Sequence, residues 1–410
     1  MVHYIMSQKV TVNQQGMVRV RALVSKEQVK EIARDCFGLQ IVESCDVKEI
    51  DSYEDRNFVV HGRLDVRDCE DDVLYQKFDK FVLKIYNAAE TCSLAWFSHI
   101  NSIVAATYLE SQTGFKVPLP ITDLETNKHC VLYKIPLQRD ADVSEKLSQD
   151  ILSKNRFVTV ENSLHYLQHI VRLTTFIPGQ TLDAKKIDDA LAYDFGKCAA
   201  HLGIILKKFP VPQGVLMREE LLWNMLHIHK MMPNPYISSM KDNKRKSIAT
   251  DILQKFETVV LPQLVNLPKQ WIHGDLNDAN HITCQDKHGQ TRIAGIIDFD
   301  EMCYSYRVFE VGTALMYITC SVPRERCFDN IKQFIDGYTS LTALEPIELS
   351  VLFTIMLTRY IQSCVISEYL YYYEDPTNDY LLQTPTQGWD TLNFFINEGE
   401  SKFLDIVSKR

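Results

Sequence analysis

Between residues 273 and 280 the chain reads HGDLNDAN: an imidazole, a glycine, two carboxylates and two amides within eight positions. Asp, Asn and Gly disfavour regular helix and strand, so such a cluster reads as a turn. Apolar LPKQWI runs into this turn and HIT runs out of it, which holds it between structured segments. The following stretch, HITCQDKHGQTRIAGIIDFD, has the pattern of strand, tight turn at Asp286–Gly289, and strand. A hairpin folds its ends together, so Asn280 at its start comes close to Asp298 at its end, with Asp275 on the loop before it. Two hard-oxygen side chains at a hairpin mouth suit Mg²⁺, which keeps open positions for phosphate oxygens. Asp275 is then the group that orients an attacking hydroxyl and accepts its proton, while Asn280 and Asp298 hold the metal. That division of labour is phosphoryl transfer. The bland reading is a surface turn and an unrelated acidic strand end; two spaced motifs joined by a hairpin argue against it.

Such chemistry needs a cation on the donor phosphates. FVLKIY alternates Phe81, Leu83 and Ile85 against Val82, Lys84 and Tyr86, so Lys84 faces a partly apolar surface. A strand lysine alone is more often an exposed sheet residue; its place upstream of the acidic motifs makes Lys84 the nucleotide ligand. DSYEDRNFVV (51–60) is a polar turn between strands and is assigned to the loop above the nucleotide. It lacks the glycines of a P-loop, and Ser52, Asp55 and Asn57 are its candidates for supporting the turn or meeting phosphate.

The elements that carry these residues change character along the chain. Residues 1–24 show little periodicity and are expected to form a loose arm. SKEQVKEIARDCFGL (25–39) opens with a Ser25–Gln28 capping box, and Gly38 stops the helix. From 40 to 86 short β-like runs separated by turns predict an antiparallel sheet, followed by a helix over 93–111 and more strand near 129–136 and 156–160. The charged segment 139–156 reads as a surface insertion. An apolar strand then ends in Pro178-Gly179, the expected hinge, which gives an N-lobe over 25–174 and a C-lobe over 175–410. Helical patterns dominate the C-lobe; one is expected to start at Asp183 as its N-cap.

Bulk properties narrow the class. The length of 410 residues favours two lobes, and 46% apolar with 24% charged residues is an ordinary globular composition. A net charge of -9 argues against a nucleic-acid or membrane-surface binder. Eleven scattered cysteines without a CxxC pair suggest reduced, mostly buried thiols. The most apolar stretch, VFEVGTALMYITCSV, carries Glu310 and falls short of a membrane span. With no signal-peptide core near the start, a soluble cytoplasmic protein is expected.

SYEDRNF, FVLKI, PGQTL, HGDLNDAN, GIIDFDEMCYSYRVFEVG and TRYIQS occur in this order. H-G-D-x-x-x-x-N followed by I-D-F parallels the H-R-D-x-x-x-x-N and D-F-G pair of protein kinases. On these motifs, from about Ser25 to about Trp389, the chain resembles the aminoglycoside phosphotransferase-like kinases. The resemblance implies an α+β, two-lobed protein-kinase-like fold, with a small antiparallel-sheet N-lobe, a larger mostly helical C-lobe and a nucleotide cleft. It implies Mg²⁺-dependent transfer of the γ-phosphoryl group of GTP to the side-chain hydroxyl of 5-hydroxy-L-lysine, with ATP as the other donor. Choline, ethanolamine, homoserine or an aminoglycoside as acceptor stays open, as does a catalytically idle kinase-like binding protein. Hydroxylysine carries a carboxylate and two ammonium groups: Arg359 and Gln362 are candidates for the carboxylate, Asp278 and Glu310 for an ammonium. Glu310 has a second reading as a support of the catalytic loop. The pattern departs from the family where 93–111 offers Ser98 and His99 instead of a glutamate for Lys84, leaving Glu90 and Glu110. It departs again where Asp300 replaces a glycine.

Overall fold

Ser25 accepts a hydrogen bond from the Gln28 N–H, and the Gln28 side chain returns one to the Ser25 backbone, so α1 (Lys26–Phe37) starts on the capping box its sequence encodes. Gly38 ends it in the left-handed conformation at φ 68°. Val29, Ile32, Ala33 and Phe37 fall on one helical face and are fully buried. Each large apolar side chain on that face contributes about 1.5–3 kcal/mol on burial.

This helix belongs to the N-terminal of two units, Met1–Ala105 with Pro118–Phe176; the other comprises Ala106–Val117 with Ile177–Arg410. The computed structural model describes residues 10–12, 18–50, 52, 55–64, 75–111, 114–137, 158–161, 164–211, 221–374, 376 and 378–408. The insertion expected at 139–156 lies outside the described residues.

In the N-terminal unit, seven strands form one sheet: β3 (Leu39–Ile41), β4 (Lys48–Ile50), β5 (Arg56–Leu64), β6 (Lys80–Ile85), β7 (Val131–Pro136), β8 (Val158–Glu161) and β9 (Leu164–Thr175). Its spine runs β3-β5-β6-β9-β7, and every pairing is antiparallel. Phe58, Val60, Phe81, Leu83, Ile85, Val171 and Leu173 point from the central strands into a core shared with α1. The expected loose arm is partly ordered: β1 (Val10–Val12) pairs with β2 (Val18–Val20), and Val20, Ala22 and Val24 are buried. Spaced by two, these apolar residues follow strand periodicity, a pattern too short to stand out in the sequence. Helix α2 (Leu94–Glu110) follows the sheet's central hairpin.

The C-terminal unit is mainly helical. Its long helices are α3 (Asp189–Leu206), α4 (Asn243–Lys255), α5 (Arg307–Cys320), α6 (Arg324–Thr339), α7 (Pro346–Tyr369) and α8 (Gln383–Ser408). The predicted start at Asp183 is displaced. Asp183 caps only a short turn over Ala184–Lys186, Ile187 is extended, and Asp188 accepts the Leu191 N–H as the true N-cap of α3. Helices α3 and α6 cross backbone to backbone: a Cβ on Gly196 would meet the Phe334 carbonyl oxygen at 1.9 Å, and one on Gly337 the Tyr193 carbonyl oxygen at 2.0 Å. Helix α7 with its continuation, Pro346–Glu374, is long and apolar enough to cross a membrane, yet 89% of its apolar 18-residue window is buried inside the protein. It exceeds the Glu310 segment that stood out in the sequence, and it is a core helix. Short strands β10 (Gln180–Thr181), β11 (Lys269–Ile272), β12 (His281–Gln285), β13 (Thr291–Ile296) and β14 (Cys303–Tyr306) complete the unit and carry the acidic motifs.

Candidate active site

Strand β11 pairs with β14, and β12 with β13, so residues 273–280 bridge two anchored ladders. The turn between β12 and β13 is the predicted one: Gly289 at φ 76° donates its N–H to the Asp286 carbonyl at 3.0 Å. Within the loop, the Asn277 N–H donates to the Asp275 carbonyl at 2.8 Å, and the Asn280 N–H to Asn277 Oδ1 at 2.8 Å. The loop is therefore braced by its own amides.

The Asp275 carboxylate is held from three sides. Asn277 Nδ2 donates to Oδ2 at 2.8 Å and Asn280 Nδ2 to the same oxygen at 3.0 Å. Arg359 Nη2, from α7, donates to Oδ1 at 2.7 Å. Neighbouring groups fix the loop backbone. His273 is fully buried, bonds the Ile297 carbonyl through Nε2 at 3.0 Å, and accepts the Asp275 N–H on Nδ1 at 3.3 Å. Burial lowers its pKa, in keeping with a neutral ring. Gly274 sits at φ 84°, where a Cβ would lie 2.4 Å from the Glu301 carbonyl oxygen. Its N–H donates to Glu310 Oε2 at 3.1 Å, and burial pushes the Glu310 carboxyl up to about 7.

Asn280 and Asp298 are brought together by the hairpin. The Ile297 N–H donates to the Asn280 carbonyl at 2.9 Å, and Asp298 follows directly, at φ 61° in the left-handed region. That conformation is uncommon for a residue with a Cβ, and it turns the chain out of the strand into Phe299–Glu301. Asn280 commits its amide nitrogen to Asp275, so its amide oxygen is directed elsewhere. Among the described residues no group of three or more His, Cys, Asp or Glu side chains could hold a metal ion. One amide oxygen and one carboxylate are hard donors too few for a closed cage, a set that fits a divalent cation sharing its shell with phosphate oxygens.

The four candidates for acceptor binding divide. Arg359 is 1% exposed, and its guanidinium serves Asp275, Gln362 Oε1 at 3.0 Å and Tyr317 Oη at 3.3 Å. Its cation lies over the Trp223 ring at 5.0 Å and the Tyr317 ring at 5.5 Å. Gln362 donates to the Leu222 carbonyl at 2.8 Å. Glu310 supports the loop at Gly274, the second of its two readings. Asp278 has its pKa raised to about 6, by burial first and then by the Asp275 and Asp183 charges.

In the N-terminal unit, Lys84 is buried and stands opposite Asn57 on β5 and Arg172 on β9. Its Nζ is 3.1 Å from Asp55 Oδ2 and 5.1 Å from the centre of the Tyr86 ring. Asp55 supplies the carboxylate sought among the helix glutamates; Glu110 instead pairs with Lys208. Asp55 Oδ1 also accepts the Asn87 N–H at 2.8 Å, and Ser52 Oγ donates to the Asp55 carbonyl. Ser52 and Asp55 thus brace the turn around Lys84, while Asn57 Oδ1 is buried with no hydrogen-bond partner. Sequence reasoning missed Asn277, Tyr317, Trp223 and the Arg359–Asp275 pair. Asn277 alone had a signal, an amide two positions after Asp275.

A sheet-rich unit and a helical unit, with a braced Asp-Asn loop feeding an acidic hairpin, define a kinase-like phosphotransferase that uses an alcohol group as acceptor. The chain belongs to the phosphotransferase enzyme family, whose pattern matches residues 73–344. Hydroxylysine kinase of Bos taurus is 26% identical over 400 residues, covering 96% of this chain and 95% of the relative. Among solved structures, a microcompartment-associated aminopropanol kinase superposes with a TM-score of 0.62 at 13% identity, covering 93% of this chain and all (100%) of the other. The amicoumacin kinase hAmiN, in complex with AMP-PNP, Ca²⁺ and Ami, gives 0.57 at 13% identity, covering 90% of this chain and 94% of its own.

Proposed function

We propose that the protein transfers the γ-phosphoryl group of GTP to the side-chain hydroxyl of 5-hydroxy-L-lysine, giving 5-phosphooxy-L-lysine and GDP. The observation that carries this reading is the Asp275 carboxylate, held on Oδ2 by two amides and on Oδ1 by a guanidinium. A carboxylate so held is fixed in orientation, which is what a group accepting a proton from an alcohol requires. Asn280 Oδ1 and Asp298 are the residues that would hold Mg²⁺. When bound there, the ion neutralises charge on the donor phosphates. Lys84 is the phosphate cation, set in place by Asp55 and Ser52, with Asn57 beside it. Asp278 is the group for an acceptor ammonium, and its negative form grows through pH 6 upward. Similarity to the Bos taurus relative along nearly the whole of both chains supports hydroxylysine as the acceptor. Free thiols at the described cysteines, most of them buried, support a cytoplasmic setting.

Purified protein with Mg²⁺ is incubated with GTP or ATP and a panel of 5-hydroxy-L-lysine, choline, ethanolamine and homoserine. GDP release with hydroxylysine, matched by a phosphorylated acceptor, is the expected result. No turnover of hydroxylysine alongside turnover of another amino alcohol overturns the acceptor, and faster turnover with ATP overturns the donor.

A further inference from the structure

A carboxylate offers about four lone-pair positions, two on each oxygen. On Asp275, Oδ2 takes both amides, Asn277 and Asn280, and is filled. Oδ1 takes Arg359 Nη2 and keeps one position. If Asp275 accepts the acceptor's proton, the hydroxyl must therefore approach Oδ1, the oxygen that Arg359 already grips.

Arg359 is itself tied through both terminal nitrogens, while its buried Nε has no hydrogen-bond partner among the described residues. Its two terminal nitrogens reach Asp275, Gln362 and Tyr317, and Trp223 and Tyr317 rings flank its cation. Gln362 is tied in turn to the Leu222 carbonyl, and Tyr317 Oη lies 3.3 Å from Ser363 Oγ. A guanidinium packed this way has little freedom to swing onto a ligand carboxylate, because leaving Asp275 would strand a buried charge.

We infer that Arg359 is a positioning residue for phosphoryl transfer. It turns the Asp275 carboxylate so that a single acceptor site, on Oδ1, remains for the incoming hydroxyl, and Gln362 and Tyr317 hold the guanidinium in that pose. The inference rests on the proposed role of Asp275 and reassigns Arg359 away from the acceptor's carboxylate. Proton transfer stays as before: the hydroxyl proton passes to Asp275 Oδ1 as the acceptor oxygen bonds the γ-phosphorus and the bond to the departing nucleoside diphosphate breaks.

The test pairs structure with kinetics on the full chain. Crystal structures of wild type and Arg359→Gln report the Asp275 carboxylate directly, and Arg359→Lys, Arg359→Ala and Tyr317→Phe extend the series. In Arg359→Gln the carboxylate is expected to rotate. Its kcat should fall about 10²-fold, the scale of a 1 Å misplacement, with acceptor KM changed less than about threefold. Arg359→Lys should recover part of the rate, and added guanidinium should restore turnover to Arg359→Ala. An acceptor with the same amine and hydroxyl but no carboxylate should suffer an equal loss. An unmoved Asp275 in Arg359→Gln overturns the inference. So does a loss confined to KM and to acceptors bearing a carboxylate. If wild type turns over no amino alcohol, the proposed function fails by itself, and the crystal comparison still decides the role of Arg359.

Discussion

Replacing Glu310 by Gln should flatten the pH dependence of stability. Gln keeps an oxygen for the Gly274 N–H but removes an ionisable group from a site that is 7% exposed. Burial raises the Glu310 pKa from its ordinary 4.5 to about 7. A raised carboxyl pKa means that the folded chain holds the proton more tightly than the unfolded chain. Its contribution is fully present below pH 4.5 and is lost as pH rises through 7. At about 1.36 kcal/mol per pKa unit, the loss between pH 5 and pH 8 is on the order of 2–3 kcal/mol. Glu310→Gln escapes that loss, so its stability relative to wild type should climb by about 2–3 kcal/mol over the same span. Urea unfolding at several pH values, followed through Trp223, Trp271 and Trp389 of the C-terminal unit, measures the difference. Parallel curves for the two proteins would show that Glu310 is not titrating in a buried site, and the reasoning would fail.

Three further outcomes follow from the same geometry. Gly274→Ala forces a Cβ into the left-handed region and to within 2.4 Å of the Glu301 carbonyl oxygen; the loop must shift, with stability falling by at least about 1–2 kcal/mol and kcat by a larger factor than either KM. Asp55→Ala removes a carboxylate from buried Lys84 and should cost about 1–3 kcal/mol, visible as a lower melting temperature and a higher nucleotide KM. Asn280→Ala removes the proposed metal donor and one of the two amides on Asp275 Oδ2; turnover should need several-fold more Mg²⁺, and an unchanged Mg²⁺ dependence would remove Asn280 from the metal site.

What the sequence made legible, and what it hid, follows the range of the interactions. The 273–280 loop and its hairpin could be read because turn residues and strand alternation are local signals, and any hairpin brings its two ends together. The capping box at Ser25 is equally local. Lys84 could be placed by alternation along β6, but its Asp55 partner could not. That contact depends on the register of β5 against β6, which sets Asn57 opposite Lys84. Arg359 shows the limit most clearly. Its charge and its spacing to Gln362 are visible in TRYIQS, yet the direction of the guanidinium is decided by the packing of α7 against the loop at Asp275. Asp183 and Asp188 are both plausible N-caps by type. Only the extended conformation of Ile187 chooses between them.

The most direct test of the account compares wild type with Asp275→Asn under single-turnover conditions, with GTP, Mg²⁺ and 5-hydroxy-L-lysine, following phosphorus by NMR. Wild type should yield one phosphorylated amino acid per GDP, and Asp275→Asn should bind nucleotide as before while losing about 10²–10⁴-fold in rate. Equal rates in the two proteins would contradict the assignment of Asp275 as the residue that receives the hydroxyl proton.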